Sequence, residues 1–533
     1  MENVNTVVRV KQGELRGVII ENICGGQYLA FRGIPYAKPP VGQLRFKDPE
    51  PAEPWTGIRD ASKFGDCCAQ LDFVLRKKMG SDDCLYLNVN IPLSNHSKKL
   101  PVMVWIHGGA FVYGSGDDQF YGPDYIMRKD VILVTINYRL GVLGFLNLEH
   151  EIAPGNQGLK DQVLALRWVQ ENISNFGGDS NNVTIFGESA GSASVHYLCI
   201  SPMAEGLFHK AISQSGVAAN SWASIKNPKE YAFKLVEMLG KNTTDPEEIV
   251  EFLRTIDAQE LALIQNKSKC LFFLQDASKI FCAFGPSVDY ASPNPFLTQP
   301  PLVAMKNGVK VPYLMGYNSR EGIIDSETMK LLLPTVDKDL SLVIHPEMLA
   351  RLNEDGISLD DLKHIYFGDK PISKETLNEY ADLHSDIFFL RNIFDVVNIQ
   401  TEKKRHPTYL YEFSYDSPMS LMKTMFNMEV AGTTHADDLS YLFFPYLGKN
   451  FGLEPWPVDT TEYKIMEYFT EMWTNFAITG NPTPAKTDLI KTVWEPIDDG
   501  KDYKYLNIND ELEMKAVRKG TQRFEWKKPK NKL

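Results

Sequence analysis

Residues 183–191, VTIFGESAG, constrain this chain more than any other stretch. Four residues suited to a buried strand, 183–186, run into Ser189, which has Gly187 two positions before it and Gly191 two positions after. A strand that turns sharply into a helix lifts such a serine over the edge of a sheet, and Cβ atoms at the two flanking positions would strike neighbouring backbone. The pattern predicts a strand-turn-helix unit with Ser189 at its tip and a helix beginning near Ser192. Ordinary glycine and serine frequencies would place GxSxG by chance in a chain of this length about one time in six. The surrounding sequence therefore has to decide what the serine is for.

That surrounding sequence alternates between strand and helix patterns. Apolar runs at 102–106 and 131–138 read as fully buried strands, the first ending in His107-Gly108-Gly109-Ala110-Phe111. Residues 160–176 carry apolar side chains at helical spacing and stop at Gly177-Gly178. Further strands are expected at 210–214, 311–317 and 409–415. The long charged segments at about 225–310 and 325–405 read as helical insertions capping the sheet, and the first fifty or so residues as an antiparallel entry to it. Alternation of this kind predicts an α/β fold with a large, mostly parallel sheet covered by helices on both faces, whose functional groups gather at the carboxyl ends of the strands. No repeat, low-complexity segment or linker divides the 533 residues, so one domain over 1–533 is expected.

Composition excludes some functions. A net charge of −12 argues against general affinity for nucleic acid, which rests on lysine and arginine neutralising phosphates. The basic run at 527–532 reads as a solvated tail. No apolar run reaches the 18 or so residues that would span a bilayer. The N-terminal residues show no basic region followed by an apolar core, so the chain as given predicts a cytoplasmic protein, or a secreted one whose signal has been removed. Of seven cysteines, Cys67 or Cys68 could pair with Cys84, and Cys270 with Cys282. Asn95, Asn172, Asn182, Asn242 and Asn266 begin glycosylation sequons, which are read here as chance.

A serine hydroxyl is a weak nucleophile at neutral pH and needs a base, itself held by an acid, within reach. With a nucleophile on this kind of turn, the partners follow it in the order acid, then histidine. Seven histidines lie after Ser189. His196 and His209 belong to core elements; His345, His364, His384 and His406 stand among charged residues and are expected to be solvated. His435 sits in Ala431-Gly432-Thr433-Thr434-His435-Ala436, a loop of small residues after an expected strand, which gives an imidazole room to serve two oxygens. For the acid, Glu321 follows the strand at 311–317 beside Gly322, and Asp325 competes with it. The bare amides of Gly108-Gly109-Ala110, with that of Ala190 after the nucleophile, could hold a developing oxyanion, each donor being worth about 2.7 to 4 kcal/mol when removed.

The segments FRGIPYAKPPVGQLRF, SDDCLYLNV, PVMVWIHGGAF, NYRLGVLGFL, GNQGLKDQVLALRWVQENISNFGGDSNNVTIFGESAG, ISQSG, GYNSREG and GTTHADDLSYLF resemble, over essentially the whole chain, the type-B carboxylesterase and cholinesterase family of α/β-hydrolases, and within it the insect carboxylesterases. The resemblance implies Ser189, Glu321 and His435 as a triad, raising Glu321 over Asp325, and Gly109, Ala110 and Ala190 as oxyanion donors. It also implies ion pairs Arg45–Asp82 and Arg139–Asp161, a disulfide near Cys84, and Trp222 and Ser215 near the acyl side of the pocket. Three departures narrow the reading. Many relatives carry a third glycine where this chain has Ala110, and a Cβ there costs about 1 kcal/mol if φ must be positive. No tryptophan lies between Cys67 and Cys84 to hold a quaternary ammonium, which argues against choline esters. Glu188 stands where juvenile hormone esterases usually carry glutamine.

The expected function is thus hydrolysis of small-molecule carboxylic esters through an acyl-enzyme on Ser189, with no cofactor or metal required. Organophosphates are expected to inhibit by phosphorylating the same oxygen, which suits xenobiotic and insecticide detoxification by turnover and sequestration. A specialised juvenile-hormone or pheromone esterase is the alternative within this chemistry. A non-catalytic adhesion role is the alternative outside it; adhesion proteins of this fold have lost the serine or the histidine, whereas here both are present.

Overall fold

The structure, a computed structural model, describes residues 5–93, 98–264 and 284–526. Its framework is a sheet in which eleven strands are found among the described residues: β1 Val18–Glu21, β2 Gln27–Pro35, β3 Tyr86–Pro92, β4 Leu100–Ile106, β5 Ile132–Ile136, β6 Gly178–Glu188, β7 Lys210–Gln214, β8 Tyr313–Asn318, β9 Thr408–Phe413, β10 Asp502–Ile508 and β11 Leu512–Arg518. They lie in the order β11-β10-β9-β8-β7-β6-β4-β5-β3-β2-β1. The six neighbouring pairs from β10 to β5 are parallel, and antiparallel pairs close both edges.

The reason for the parallel centre is visible in its side chains. Every residue of β5, β7 and β8 is buried, as a strand covered on both faces requires. Along β4, Val102, Val104 and Ile106 enter one core and Met103 and Trp105 the other, the period of two sending alternate residues to opposite layers. The expected strands at 102–106, 131–138, 210–214, 311–317 and 409–415 all exist, with ends shifted by a few residues. The expected helix at 160–176 is α1 Gln157–Asn172 followed by a 3-10 turn, Ile173–Phe176, that ends at Gly177 with φ 82. Helices also fill much of the two insertions; three used below are α3 Leu377–Ser385 and α4 Arg391–Lys403 in the second insertion, and α2 Ala190–Ile200 directly after Ser189.

The expected staples are present. Arg139 grips Asp161 through Nε at 2.8 Å and Nη2 at 2.7 Å, both side chains being buried, and Arg45 pairs with Asp82. The disulfide is Cys68–Cys84, leaving Cys67 free and buried. Cys270 and Cys282 lie outside the described residues, as do Asn95 and Asn266. The sequon at Asn172 is closed to modification in the folded chain: its side chain is buried, accepts from the Lys11 amide and donates to the Trp168 carbonyl. One expectation about histidines is corrected. His384 is 3% exposed, its ring packed on Tyr380 and Phe388 at 4.4 and 4.9 Å, because α3 turns this face into the core despite its charged neighbours in sequence.

Candidate active site

The carboxyl ends of the parallel strands stand side by side, Gly187 opposite Ile106 and Glu188 opposite Gln214. Ser189 continues β6 in a conformation few residues adopt, φ 57 and ψ −122, and α2 starts at the next residue. Such backbone costs about 1–3 kcal/mol and persists only where surroundings impose it. Here they do. A Cβ on Gly187 would lie 2.5 Å from the Ile106 oxygen, and one on Gly191 would lie 2.0 Å from the same atom, so the turn packs against β4 with no space for a side chain at either position. The Ser189 amide donates to the Gln214 carbonyl at 2.9 Å, pinning the turn to β7.

His435 comes to this turn from the loop between β9 and a short 3-10 segment, Asp437–Tyr441. Its Nδ1 lies 2.6 Å from Glu321 Oε2, and Glu321 Oε1 accepts from the Asn318 amide at 2.6 Å. A carboxylate can only accept from this ring, so Nδ1 carries the proton and Nε2 is left as the ring's acceptor, with Ser189 in the lining of the same cavity. Asp325, the competing acid, instead lies 3.5 Å from His384. Glu321 has no exposed surface and His435 is 7% exposed. Ser189, His435, Glu188, Gly108 and Gly109 line one cavity of about 110 Å³. A wider cleft of about 490 Å³ beside Cys199 and Phe208 has no histidine in its lining.

Glu188 is part of the site's electrostatics. Its Oε1 lies 3.1 Å from His435 Nε2. Burial pushes the Glu188 carboxyl up to about 8, partly offset by His435. Burial would hold the imidazole down, but Glu188, Glu321 and Asp438 together push it up to about 9. The two groups therefore titrate as a coupled pair around one proton. An imidazolium cannot accept the serine proton, so kcat/KM is expected to rise with pH as the pair loses that proton. Because Glu188 is the charge that raises His435 most, Glu188→Gln is expected to move this rise to lower pH. A pH profile of kcat/KM that stays put or moves to higher pH would overturn this role for Glu188.

Sequence reasoning missed the polar support behind the pair. Asp438 is buried and accepts from Gln214 Nε2 at 2.8 Å and Tyr411 Oη at 2.9 Å. Trp473 Nε1, which can only donate, holds the Gln214 oxygen at 3.0 Å and so turns its amide nitrogen toward Asp438. The pair Asp437-Asp438 two residues past His435 was the available signal. Burial raises both carboxyls, Asp437 to about 7.

The remaining expected site residues are placed as follows. Gly109 has φ 101, and Ala110 and Phe111 have φ 51 and 60, so the loop takes the left-handed region with Cβ atoms present. Ala190 is buried at the first position of α2. Neither Ala110 nor Ala190 lines the cavity, and neither do Trp222 and Ser215. Trp222 packs instead on Phe389, whose ring lies 4.7 Å from that of His435. Ser215 is fully buried at φ 58.

The sequence model described as the carboxylesterase family matches residues 4–526. The chain is 39% identical to a juvenile hormone esterase of Tribolium castaneum, over 90% of this chain and 84% of that protein, and 35% identical to esterase FE4 of Myzus persicae, over 92% and 86%. Among solved structures, juvenile hormone esterase from Manduca sexta with OTFP covalently attached superposes with a TM-score of 0.82 at 30% identity, covering 97% of each chain.

Proposed function

The chain belongs to the carboxylesterase family and is a carboxylic ester hydrolase, and from that premise we propose how its own residues perform the reaction. Ser189 attacks the ester carbonyl; His435 Nε2 takes its proton and returns it to the leaving alcohol; Glu321 holds the ring and stabilises its cation. The amides of Gly109, Ala110 and Ala190 receive the oxyanion, and water then repeats the sequence on the acyl-enzyme. The observation that carries this reading is the 2.6 Å contact between Glu321 and His435 at a cavity that also holds the strained Ser189.

The substrate class we favour is broad: xenobiotic esters, with organophosphates bound as poor leaving acyl equivalents on Ser189. The likeness to esterase FE4 supports it. A specialised hormone esterase is the second reading, supported by the two relatives named juvenile hormone esterase; Glu188 in place of glutamine weighs against it. A large kcat/KM advantage of a juvenile hormone ester over 1-naphthyl acetate would select the second reading. The Cys68–Cys84 disulfide supports an oxidising compartment over the cytoplasm. Among the described residues, no helix is long and apolar enough to cross a membrane.

The site assignment is tested by treating the protein with a fluorophosphonate and locating the adduct by mass. One phosphonyl group on Ser189 is expected, with hydrolysis lost in proportion to labelling. An adduct on any other residue would overturn the assignment.

A further inference from the structure

Helix α3 does not pass into α4 by regular turns. Between them, Asp386–Leu390 forms a π-helical turn, closed by the Arg391 amide donating to the Asp386 carbonyl five residues back. A π turn interrupts the helical hydrogen-bond ladder and leaves carbonyls that can bond elsewhere, and such turns recur at functional sites. In this chain two carbonyls of the turn accept from side chains outside it. The Phe388 oxygen accepts from Asn220 Nδ2 at 2.6 Å and from Trp222 Nε1 at 2.8 Å, and the Phe389 oxygen accepts from Asn220 Nδ2 at 3.2 Å. Asn220 Oδ1 meanwhile accepts from the Val217 amide at 2.7 Å, which fixes the orientation of its side-chain amide. The loop at 217–223 is thereby tied to the turn through Asn220.

The same turn is held from its other side. Asp386 has no exposed surface, and its Oδ2 accepts from Tyr366 Oη at 2.6 Å and Arg523 Nε at 2.7 Å. Trp526 Nε1 donates to that tyrosine at 3.0 Å, and Arg523 Nη1 reaches Asp382 at 2.8 Å. A buried carboxylate deprived of its cation is costly, so Arg523 sets which way this turn faces. What the turn presents to the site is Phe389, its ring 4.7 Å from His435 and 5.9 Å from Trp222.

We propose that the π-helical turn 386–390 positions the acyl side of the site, and that Asn220 and Arg523 are positioning residues that set the depth of the Trp222–Phe389 wall and so the acyl chains that reach Ser189. The inference rests on the proposed role of Ser189 and on the acyl-side place that the family resemblance implies for Trp222. The Trp222 ring and the Ser189 carbonyl both close on Gly216, where a Cβ would lie 3.1 and 2.6 Å from them. It assigns specificity to a residue of the C-terminal segment that touches neither serine nor histidine. A purely structural role for these residues would lower the amount of active protein and leave its selectivity alone; a positioning role changes the selectivity of each remaining site.

The experiment is the ratio of kcat/KM for 1-naphthyl butyrate to that for 1-naphthyl acetate, measured per fluorophosphonate-titrated serine in wild type, Asn220→Ala, Arg523→Gln and Arg523→Lys. One methylene in a pocket is worth about tenfold or more in discrimination, so a displaced wall is expected to shift the ratio by about fivefold or more in Asn220→Ala and Arg523→Gln. Arg523→Lys, which keeps the charge, is expected to fall between Arg523→Gln and wild type. Should Asn220→Ala not fold, Asn220→Asp removes the same two donated bonds while keeping the volume and an oxygen for the Val217 amide. Ratios within about twofold of wild type in the folded variants would overturn the inference while wild-type labelling at Ser189 still stands. Labelling of the wild type elsewhere would overturn the site on which the inference is built.

Discussion

Replacing Ser189 with alanine is expected to lower kcat toward an activated ester by about five to six orders of magnitude, leaving a residue of about 10³–10⁴ over water from the oxyanion amides and binding alone. The size follows from the mechanism. The proposed route through a covalent acyl-enzyme disappears with the hydroxyl, while the proposed oxyanion donors, the amides of Gly109, Ala110 and Ala190, are untouched by the substitution. Substrate affinity is expected to change little, since a methyl group fills part of the space that the side chain occupied. Stopped-flow measurement should show the burst of released naphthol vanish as well. A Ser189→Ala protein that retained more than about one hundredth of the wild-type rate would overturn Ser189 as the nucleophile.

Glu321→Gln is the second substitution of large effect, with kcat expected to fall by about 10⁴. Glutamine preserves the volume of Glu321, which has no exposed surface and lies 2.6 Å from His435 Nδ1. It can, however, present an amide N–H to that nitrogen, which selects the tautomer protonated at Nε2 and removes the acceptor the serine needs. It also removes the charge that would stabilise the imidazolium formed as Ser189 attacks. The contact between Glu321 Oε1 and the Asn318 amide can be kept by the glutamine oxygen, so folding stability is expected to change far less than activity. The discriminating measurement is kcat beside the thermal midpoint. A loss of activity matched by a comparable loss of folded protein would reassign Glu321 to a structural role.

Several residues were legible because their chemistry leaves a local trace. Gly187 and Gly191 announced a crowded turn, and the structure gives the crowding as a Cβ contact of 2.5 and 2.0 Å with Ile106. The apolar runs of β4, β5 and β8 marked strands buried on both faces, and their alternate residues do enter two cores. Where the trace was weak, the reading lost detail. The β10–β11 hairpin was not foreseen: β11 alternates charged and half-exposed residues at the rim of the sheet, so it has no apolar run to announce it. His384 was misjudged for a related reason. Charge beside a residue in sequence says nothing of which face of α3 meets the core, and packing on Tyr380 and Phe388 settled its environment.

The local rules of a strand, a tight turn and a helix were enough to place Ser189 at the tip of that turn, and chain order was enough to nominate Glu321 and His435. Those are short-range constraints, carried by steric needs and periodicities that a few consecutive residues express. The approach of Glu188 to His435 Nε2, the turning of Gln214 by Trp473 toward Asp438, and the tie from Arg523 through Asp386 to Phe389 join residues far apart in the chain. Such contacts depend on how the layers pack, and burial then sets the charge each group can hold. That is why Ser189 could be singled out from nine consecutive residues, whereas the proton affinity of His435 was decided only when the whole sheet had assembled.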